Sequence, residues 1–360
     1  MWSRMAKTGY DYAPTSQTLP PVVKPGEFVF SVAGLDHGHI YGQTNGLKDA
    51  GATLKFVWDS DPAKVAEFVA KNPEAVPVDS LSEILEDEET QLVANASIPC
   101  DRAPLGVKVL NAGKHYFVDK SPFTTLEQLE EVRQTVATTG KRYFCYFSER
   151  LHNESSMHAT KLIDDGVIGD VLQVICLAPH RMSRDARPDW FFEKEKYGGI
   201  LTDIGSHQFE QFLRWTGAED GEVNFARVAN FTAPEKPGLE DFGEASLTMD
   251  TGASCYARVD WLTADGSRVW GDGRVFIVGS KGTLEIRKYT NVAQETPGNK
   301  IFLVTSDSEE EIDCEGITGF PFFGEMILDV MNGTENAMTQ EHIFKSAELS
   351  MKAQAMADGQ

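Results

Sequence analysis

The sequence predicts an α/β protein of two domains. The first is built on an open, mostly parallel sheet, and the second is an α+β domain with an open, mainly antiparallel sheet. The 360 residues, of which 41% are hydrophobic, are enough to form two cores. Between residues 28 and 147, short β-rich runs alternate with helical segments, as in parallel βαβ units. Beyond residue 148, apolar and polar residues alternate around tight turns, which is typical of antiparallel hairpins.

The elements of the first domain follow from apolar runs and from helix-start signals. Strands are predicted at residues 28–33, 54–58, 92–96, 115–118 and 142–147. Helix starts are predicted at the N-capping residues Asp61, Ser80 and Thr125. In a sheet of this kind, a ligand binds outside the carboxyl ends of the strands.

The second domain combines helices with hairpins. Helices are predicted at about 154–165, 201–215, 321–331 and 340–356, and strands at 171–178, 245–249, 253–261, 274–278 and 283–287. The domain boundary is expected at a short crossover near residues 147–153. We therefore expect an extended N-terminal arm at residues 1–26, a first domain at 27–147 and a second domain at 148–360.

Composition excludes several classes of function. The net charge of −22 and the sequence pI of about 4.7 repel nucleic acid and anionic membranes. With a mean hydropathy of −0.30 and only strand-length apolar runs, we expect a soluble chain. The first 26 residues lack the apolar core of a secretory signal. The five cysteines are scattered without CxxC spacing, which favours free thiols in the cytoplasm.

A glycine-bearing turn after the first strand indicates dinucleotide binding. It reads Gly34-Leu35-Asp36-His37-Gly38-His39-Ile40-Tyr41-Gly42. Glycines at such a turn let the backbone and a helix N-terminus approach a pyrophosphate. The usual GxGxxG spacing is broken, with Asp36 where the second glycine would stand, so the glycines could instead serve only the geometry of the turn.

Asp59 strengthens this prediction of dinucleotide binding. It lies at the end of the second strand, where a carboxylate can bind both hydroxyls of an adenosine ribose. Ser60 and Asp61 bring no positive charge for a 2′-phosphate, so NAD is favoured over NADP. The alternative is that Asp59 only helps to start the next helix. The predicted cofactor-binding residues are Gly34, Leu35, Asp36, His37, Gly38, His39, Asp59, Ser60, Ser97, Pro99 and Lys120.

Lys120 and a later Asp-His pair are the candidate catalytic residues. Lys120 follows the strand 115–118, so its ammonium can meet a ribose hydroxyl and a substrate oxygen. Asp203 and His207 are four residues apart on a predicted helix, where the histidine can take a hydroxyl proton while the carboxylate orients it. A solvated lysine, a helix cap and a core histidine are the structural alternatives. No third ligand with a metal-site signature accompanies the pair, although Glu210 is near, so we expect no metal.

The loop 180–192 is basic and aromatic in an otherwise acidic chain. Trp190 could stack on a sugar ring, and an arginine such as Arg181 could bind a carboxylate. With His180 and His207, these residues form the predicted substrate-binding set. The alternative is that they pack the loop or form an interface.

Taken together, these segments resemble the glucose-fructose oxidoreductase, inositol dehydrogenase and MocA (Gfo/Idh/MocA) family of NAD(P)-dependent oxidoreductases, over about residues 28–355. The most specific pieces are residues 111–120, which resemble the family's A-G-K-H-V strand leading into Glu-Lys-Pro, the segment 198–207, and the hairpin 278–284. The resemblance implies that Lys120 contacts the cofactor and is catalytic. It also implies that Asp203 and His207 are the catalytic carboxylate and histidine, and that the second domain's sheet mediates homodimers or homotetramers.

The sequence departs from the family at two points, namely Asp36 and the extra residue in Asp119-Lys120-Ser121-Pro122. The expected function is hydride transfer between NAD and a secondary alcohol of a sugar, sugar acid or cyclic polyol. Three alternatives stay open at this point. They are glycoside cleavage or another net non-redox reaction with retained NAD, a non-catalytic nucleotide-sensing regulator, and a metal-dependent isomerase.

Overall fold

A computed structural model describes residues 19–294 and 298–359. Within them the chain divides into two compact units, each described by itself. The first unit comprises residues 19–146 and 320–344, and the second comprises residues 147–319 and 345–359. The first unit thus includes a return of the chain at 320–344, which a division at residue 147 alone does not anticipate. Most of the predicted arm, residues 1–18, lies outside the described residues.

The first unit contains a six-stranded parallel sheet in the order β3-β2-β1-β4-β5-β6. Its strands are β1(Val29–Ala33), β2(Thr53–Trp58), β3(Val76–Pro77), β4(Leu92–Asn95), β5(His115–Asp119) and β6(Tyr143–Tyr146). The strands β1, β4 and β5 and the edge strand β6 are almost wholly buried, as expected for short apolar runs covered on both faces. This strand order confirms the predicted Rossmann fold. The structure adds β3, a strand of two exposed residues that is too short to be predicted from a pattern of apolar residues.

The helices of this part of the chain are α1(His39–Asp49), α2(Pro62–Lys71), α3(Leu81–Glu86), α4(Pro99–Asn111) and α5(Leu126–Thr139). The three predicted capping residues are confirmed. Asp61 accepts a hydrogen bond from the backbone N–H of Ala63, Ser80 forms a capping box with Glu83, and Thr125 caps α5. These caps fix where each helix leaves the strand end that precedes it.

The second unit is built on an eight-stranded sheet in the order β14-β13-β12-β11-β7-β10-β9-β8. Its strands are β7(Val171–Pro179), β8(Gly221–Ala229), β9(Phe242–Met249), β10(Ser254–Asp260), β11(Arg274–Gly279), β12(Gly282–Arg287), β13(Lys300–Thr305) and β14(Glu309–Asp313). All neighbouring pairs are antiparallel except β7 and β10, so the predicted mainly antiparallel sheet is confirmed. The alternation predicted along β9 and β10 is also confirmed, because Ala245, Leu247, Cys255 and Val259 are buried.

The remaining helices are α6(Ser148–Leu151), α7(Glu154–Asp164), α8(Lys194–Tyr197), α9(Ile200–Asp203), α10(Gly205–Thr216), α11(Pro321–Asn332) and α12(Gln340–Ala357). Helix α10 packs on the sheet of the second unit, where Phe209, Phe212 and Trp215 join the core. The predicted helix 201–215 is observed as α9 and α10. These are nearly continuous, since Ile204 between them keeps helical dihedral angles (φ −71°, ψ −44°). In the described part of the chain, no helix is both long enough and apolar enough to cross a bilayer.

Candidate active site

The glycine turn is tied to the carboxyl ends of three neighbouring strands. Gly34 follows β1, and its N–H donates to the carbonyl of Trp58 at the end of β2. Beyond β4, Ala96 donates to the carbonyl of Gly34 and accepts from the N–H of His37. The turn therefore lies at the strand-end edge where a sheet of this order binds its ligand.

Gly34 is required at its position for two reasons. Its φ is +89°, a backbone conformation that L residues rarely adopt. A Cβ built there would lie 2.1 Å from Ser97 Oγ and 2.5 Å from Asn95 Nδ2. Glycine thus lets the side chains of Ser97 and Asn95 pack directly on the backbone of the turn. By contrast, Gly38 precedes α1 with ordinary right-handed dihedral angles, so its backbone does not demand glycine.

Asp59 is oriented by the glycine turn. Its Oδ2 accepts from the N–H of Leu35 at 2.7 Å, and its Oδ1 accepts from the N–H of Asp61 at 2.8 Å. Each carboxylate oxygen keeps a lone pair for a further donor such as a ribose hydroxyl. Asp59 is partly exposed and the adjoining Ser60 is exposed, so both are accessible at this edge. Asp59 thus has a structural role at the turn, and its ribose role stays a prediction.

Asp36, the residue that breaks the glycine spacing, is paired with a lysine that sequence reasoning missed. Lys64 Nζ lies 2.5 Å from Asp36 Oδ1, and the N–H of Ile98 lies 3.3 Å from Asp36 Oδ2. Burial lowers the pKa of Lys64, but the bond with Asp36 and the charges of Asp59 and Asp61 outweigh burial and raise the pKa. Lys64 therefore stays cationic and offsets the charge that Asp36 brings to the turn.

Two histidines of the turn face a buried carboxylate at the end of β5. His39 Nδ1 lies 2.8 Å from Asp119 Oδ1, and His37 Nδ1 lies 3.3 Å from Asp119 Oδ2. Arg102 Nη2 also donates to Asp119 Oδ2, at 3.1 Å. Burial raises the pKa of Asp119, but His39, Arg102 and His37 outweigh burial and hold the pKa well below its usual range. Burial, together with His39, lowers the pKa of His37 well below 6.5.

His37, His39 and Asp119 are the one group of three potential metal ligands, among the residues described, whose ligand atoms lie within 4.8 Å of one another. Charge disfavours a dication there, because the guanidinium of Arg102 already occupies one carboxylate oxygen and Lys120 follows Asp119 directly. The excess of positive charge suits an anion such as a pyrophosphate instead.

Lys120 follows β5 and is 6% exposed. Arg102 fixes its backbone, since one guanidinium nitrogen donates to the carbonyl oxygens of both Lys120 and Ser121. The peptide bond between Lys120 and Ser121 is cis. Ser97 and Pro99, at the end of β4 and the start of α4, complete the predicted cofactor set in this unit.

In the second unit, two glycines start the helix pair that carries Asp203 and His207. Gly199 has a φ of +91°, and a Cβ there would lie 2.2 Å from the side chain of Gln354. The first helical N–H groups, of Ile200 and Leu201, donate to Glu240 and Gln354. The sequence Gly198-Gly199 is thus explained by helix initiation. Asp203 lies about one helical turn after this start, and His207 lies about two turns after it.

Asp203 and His207 lie one turn apart, as predicted, and both are buried. The His207 ring lies 6.4 Å from that of Phe147, and its backbone carbonyl accepts from Gln211 Nε2 at 2.8 Å. Glu210 is fully buried, and both its carboxylate oxygens accept from Arg150. With its charge engaged in this way, Glu210 is a poor third ligand for a metal at Asp203 and His207.

The loop 180–192 separates into residues with different roles. The His180 ring stacks on Trp270 at 4.4 Å, and its Nε2 lies 3.3 Å from Glu149 Oε1. Arg181 is buried, and its Nη2 donates to backbone carbonyls of Ala264, Ser267 and Val269. That guanidinium holds together the loop between β10 and β11, and substrate binding by Arg181 stays a prediction.

Trp190 is half-buried and packs against the core of the second unit, so the packing alternative accounts for part of its surface. Sequence reasoning also missed Glu149, which contacts His180, and Gln208 and Lys288, which both donate to Glu149. Burial raises the pKa of Glu149, but Lys288, His207 and His180 outweigh burial and hold the pKa well below its usual range. No short motif contains these residues, since they come from α6, α10 and the end of β12.

Two family models match the chain. A model described as an oxidoreductase family with an NAD-binding Rossmann fold matches residues 31–147. A model described as the GFO/IDH/MocA C-terminal domain matches residues 156–285. Together they cover more than half of the chain. They include the glycine turn, the strand end that carries Lys120, and the helix pair that carries Asp203 and His207.

Similar proteins agree with these matches. The crystal structure of a candidate oxidoreductase from Erwinia carotovora atroseptica SCRI1043 is 44% identical, covers 92% of this chain and 99% of that one, and has a TM-score of 0.89. A D-xylose dehydrogenase from Paenarthrobacter nicotinovorans is 27% identical over 177 residues, or 47% of this chain and 42% of that protein. A scyllo-inositol 2-dehydrogenase (NADP+) from Bacillus subtilis is 26% identical over 180 residues, or 50% and 48%. The chain thus spans less than half the length of these two dehydrogenases.

Proposed function

Because the chain belongs to the GFO/IDH/MocA family of NAD-binding oxidoreductases, we propose that it is an NAD-dependent dehydrogenase. Its substrate is a secondary alcohol of a sugar, sugar acid or cyclic polyol. One observation carries the proposal. Each unit supplies one buried group suited to this chemistry, Lys120 at a strand end beside the glycine turn and His207 on a glycine-initiated helix. The xylose and inositol dehydrogenases among the similar proteins support the substrate class.

The first unit binds and orients the cofactor. Gly34 allows the turn to approach a pyrophosphate, and Asp59 binds the adenosine ribose. Arg102 and Lys120, two cations beside the single charge of Asp119, give the strand-end edge its positive character, and His37 and His39 contact Asp119 there. When bound, NAD accepts the hydride at its nicotinamide ring. Lys120 binds the oxygen of the reacting carbon and stabilises the alkoxide that develops there.

The second unit supplies proton transfer. His207 accepts the hydroxyl proton, so that an O–H bond breaks while an N–H bond forms on the imidazole. Asp203, one turn before it, supports the histidine, and His180 with Trp190 contributes to substrate binding.

NAD is favoured over NADP because Asp59 would repel a 2′-phosphate. Lys64 brings a positive charge near Asp59. Its ammonium is engaged by Asp36 at 2.5 Å. The inositol dehydrogenase that resembles this chain uses NADP+, so both cofactors belong in the test.

The outer face of the second unit's sheet supports a homodimer or homotetramer. On β8, β11 and β13, Phe225, Val278 and Val304 are exposed. On β11 and β13 these residues alternate with buried neighbours, and exposed apolar groups on one sheet face are typical of an interface. A reducing, cytoplasmic location is also part of the proposal, supported by five free cysteines, four of them buried.

The deciding experiment is a panel of sugars, sugar acids and cyclic polyols, each offered with NAD and with NADP while the absorbance of the reduced cofactor is recorded. We expect reduction of NAD by at least one member of the panel, with a higher kcat/KM than for NADP. Product formation from a glycoside, without accumulation of reduced cofactor, would replace the proposal with the net non-redox alternative. Tight NAD binding without turnover of any compound would favour the regulator.

A further inference from the structure

A buried charge network lies beside His180 and His207 in the second unit. Its centre is Glu149 on α6, of which 1% is exposed. Glu149 Oε2 accepts from Gln208 Nε2 at 2.9 Å and from Lys288 Nζ at 3.2 Å, while Oε1 lies 3.3 Å from His180 Nε2. Neither Glu149 nor Lys288 has a role in the chemistry described above, and burying such a pair is expensive without a compensating purpose.

The network continues to His207. Lys288 Nζ also donates to Gln211 Oε1 at 2.9 Å, and Gln211 Nε2 donates to the backbone carbonyl of His207 at 2.8 Å. All these side chains are buried. A single chain of hydrogen bonds therefore links Glu149 with the backbone of the proposed base, and a direct bond or ion pair links Glu149 with His180.

The surrounding charges leave the two imidazoles as the groups able to exchange a proton. Glu149 is held ionised by Lys288, His207 and His180 against the effect of burial. Glu210 is neutralised by Arg150. Burial raises the pKa of the nearby Cys176 thiol to about 12, so this thiol stays protonated.

His180 is also held mechanically. Its ring stacks on Trp270 with an interplanar angle of 13°, and it lies 5.4 Å from the ring of Trp261. With one face on an indole and Nε2 directed to Glu149, the ring has a fixed orientation. A carboxylate that fixes one imidazole and stands near a second is suited to setting how readily both take up a proton.

We propose that Glu149 is a positioning residue of the active site, which orients His180 and favours proton uptake by His180 and His207, and that Lys288 opposes it. This inference rests on the proposed function only in making His207 the base. At rest the charges of Glu149 and Lys288 cancel. When His207 accepts the hydroxyl proton, the new imidazolium is stabilised by Glu149, while Lys288 prevents the histidines from being protonated permanently.

The test is an NMR titration of the histidine rings in the full-length, cofactor-free protein. Glu149→Gln and Lys288→Met are compared with the wild type, and His180→Gln and His207→Gln assign the signals. Removing the carboxylate should lower the pKa of both histidines by about one unit, a tenfold change in acid dissociation constant. Removing the ammonium of Lys288 should raise the pKa of both histidines. Asp329→Asn is the control, because this equally buried carboxylate of the first unit accepts from the backbone N–H groups of Asn336 and Ala337.

Histidine pKa shifts of opposite sign in the two variants support the inference, since a purely structural role would not make the shift change sign. Unchanged pKa values in both, or shifts in the same direction, would overturn it. If Glu149→Gln does not fold, the double variant Glu149→Gln/Lys288→Met should show lower histidine pKa values than Lys288→Met alone, and equal values would contradict the inference.

The pH profile of kcat separates this inference from the proposed function. In Glu149→Gln the acid limb should move to lower pH by the same interval as the histidine titration. If the wild type shows no turnover with any compound while the histidines shift as expected, the network stands and the dehydrogenase assignment fails. If turnover is observed but the histidines do not shift, the assignment stands and the role of Glu149 fails.

Discussion

The two units use buried charge in opposite ways. In the first unit, the buried carboxylate of Asp119 faces the guanidinium of Arg102 and two histidines and is followed by Lys120, so two cations stand beside one carboxylate. In the second unit, Glu149 with Lys288 and Arg150 with Glu210 are balanced pairs. An excess of positive charge attracts an anionic cofactor, whereas balanced pairs leave neighbouring imidazoles free to change charge. The comparison suggests binding in one unit and proton transfer in the other.

The largest effect on NAD affinity is expected from Gly34→Ala in the first unit. The substitution combines a positive φ with a Cβ that would meet Ser97 and Asn95, so the turn must shift. We expect NAD affinity, measured by isothermal titration calorimetry, to fall at least tenfold, together with a loss of thermal stability.

The matched control for this glycine is Gly113→Ala. Gly113 has a similar φ of +78°, but no atom lies within 4 Å of a Cβ built there. It should lose about 1–2 kcal/mol of unfolding free energy from backbone strain and keep its NAD affinity. Equal NAD affinities in the two variants would remove the turn from the cofactor site.

A smaller effect is expected at the pair that replaces the second glycine. Lys64→Met leaves the charge of Asp36 uncompensated near the pyrophosphate, so NAD binding should weaken. Since Lys64 is 36% exposed, the loss should be at most about fivefold. The double variant Asp36→Asn/Lys64→Met should recover the affinity.

Lys71→Met is the control for this pair, because Lys71 lies on the same helix and pairs with Glu67 at 2.9 Å. Its NAD affinity should not change. If Lys64→Met binds NAD as tightly as the wild type, Asp36 does not face the pyrophosphate, and the first unit tolerates the broken glycine spacing for another reason.

The first unit could largely be predicted from the sequence because its signals are local. Gly34, Asp59 and Lys120 each follow a strand within one or two residues, and parallel strands bring their carboxyl ends to one edge. The partner of Asp36 could not be predicted in this way. Lys64 is one of many lysines on amphipathic helices, and only the turn of α2 brings its ammonium to the glycine loop.

The site of the second unit was predicted only in part. Asp203 and His207 are four residues apart, a spacing that places both on one face of a helix. Glu149, Gln208 and Lys288 meet only through the packing of α6, α10 and the end of β12, so no spacing identifies them. Arg181 also has a structural role that the basic loop did not indicate, because its guanidinium donates to carbonyl oxygens of the loop between β10 and β11.

The central claim, that one unit binds the cofactor and the other transfers the proton, is tested most directly by one paired measurement. NAD affinity and turnover are determined for Lys120→Met and His207→Ala, with the compound that the panel identifies. Lys120→Met should lower both quantities. His207→Ala should leave NAD affinity nearly unchanged and reduce kcat about 100-fold or more. Turnover at the wild-type rate in His207→Ala, or unchanged NAD binding and turnover in Lys120→Met, would contradict the account.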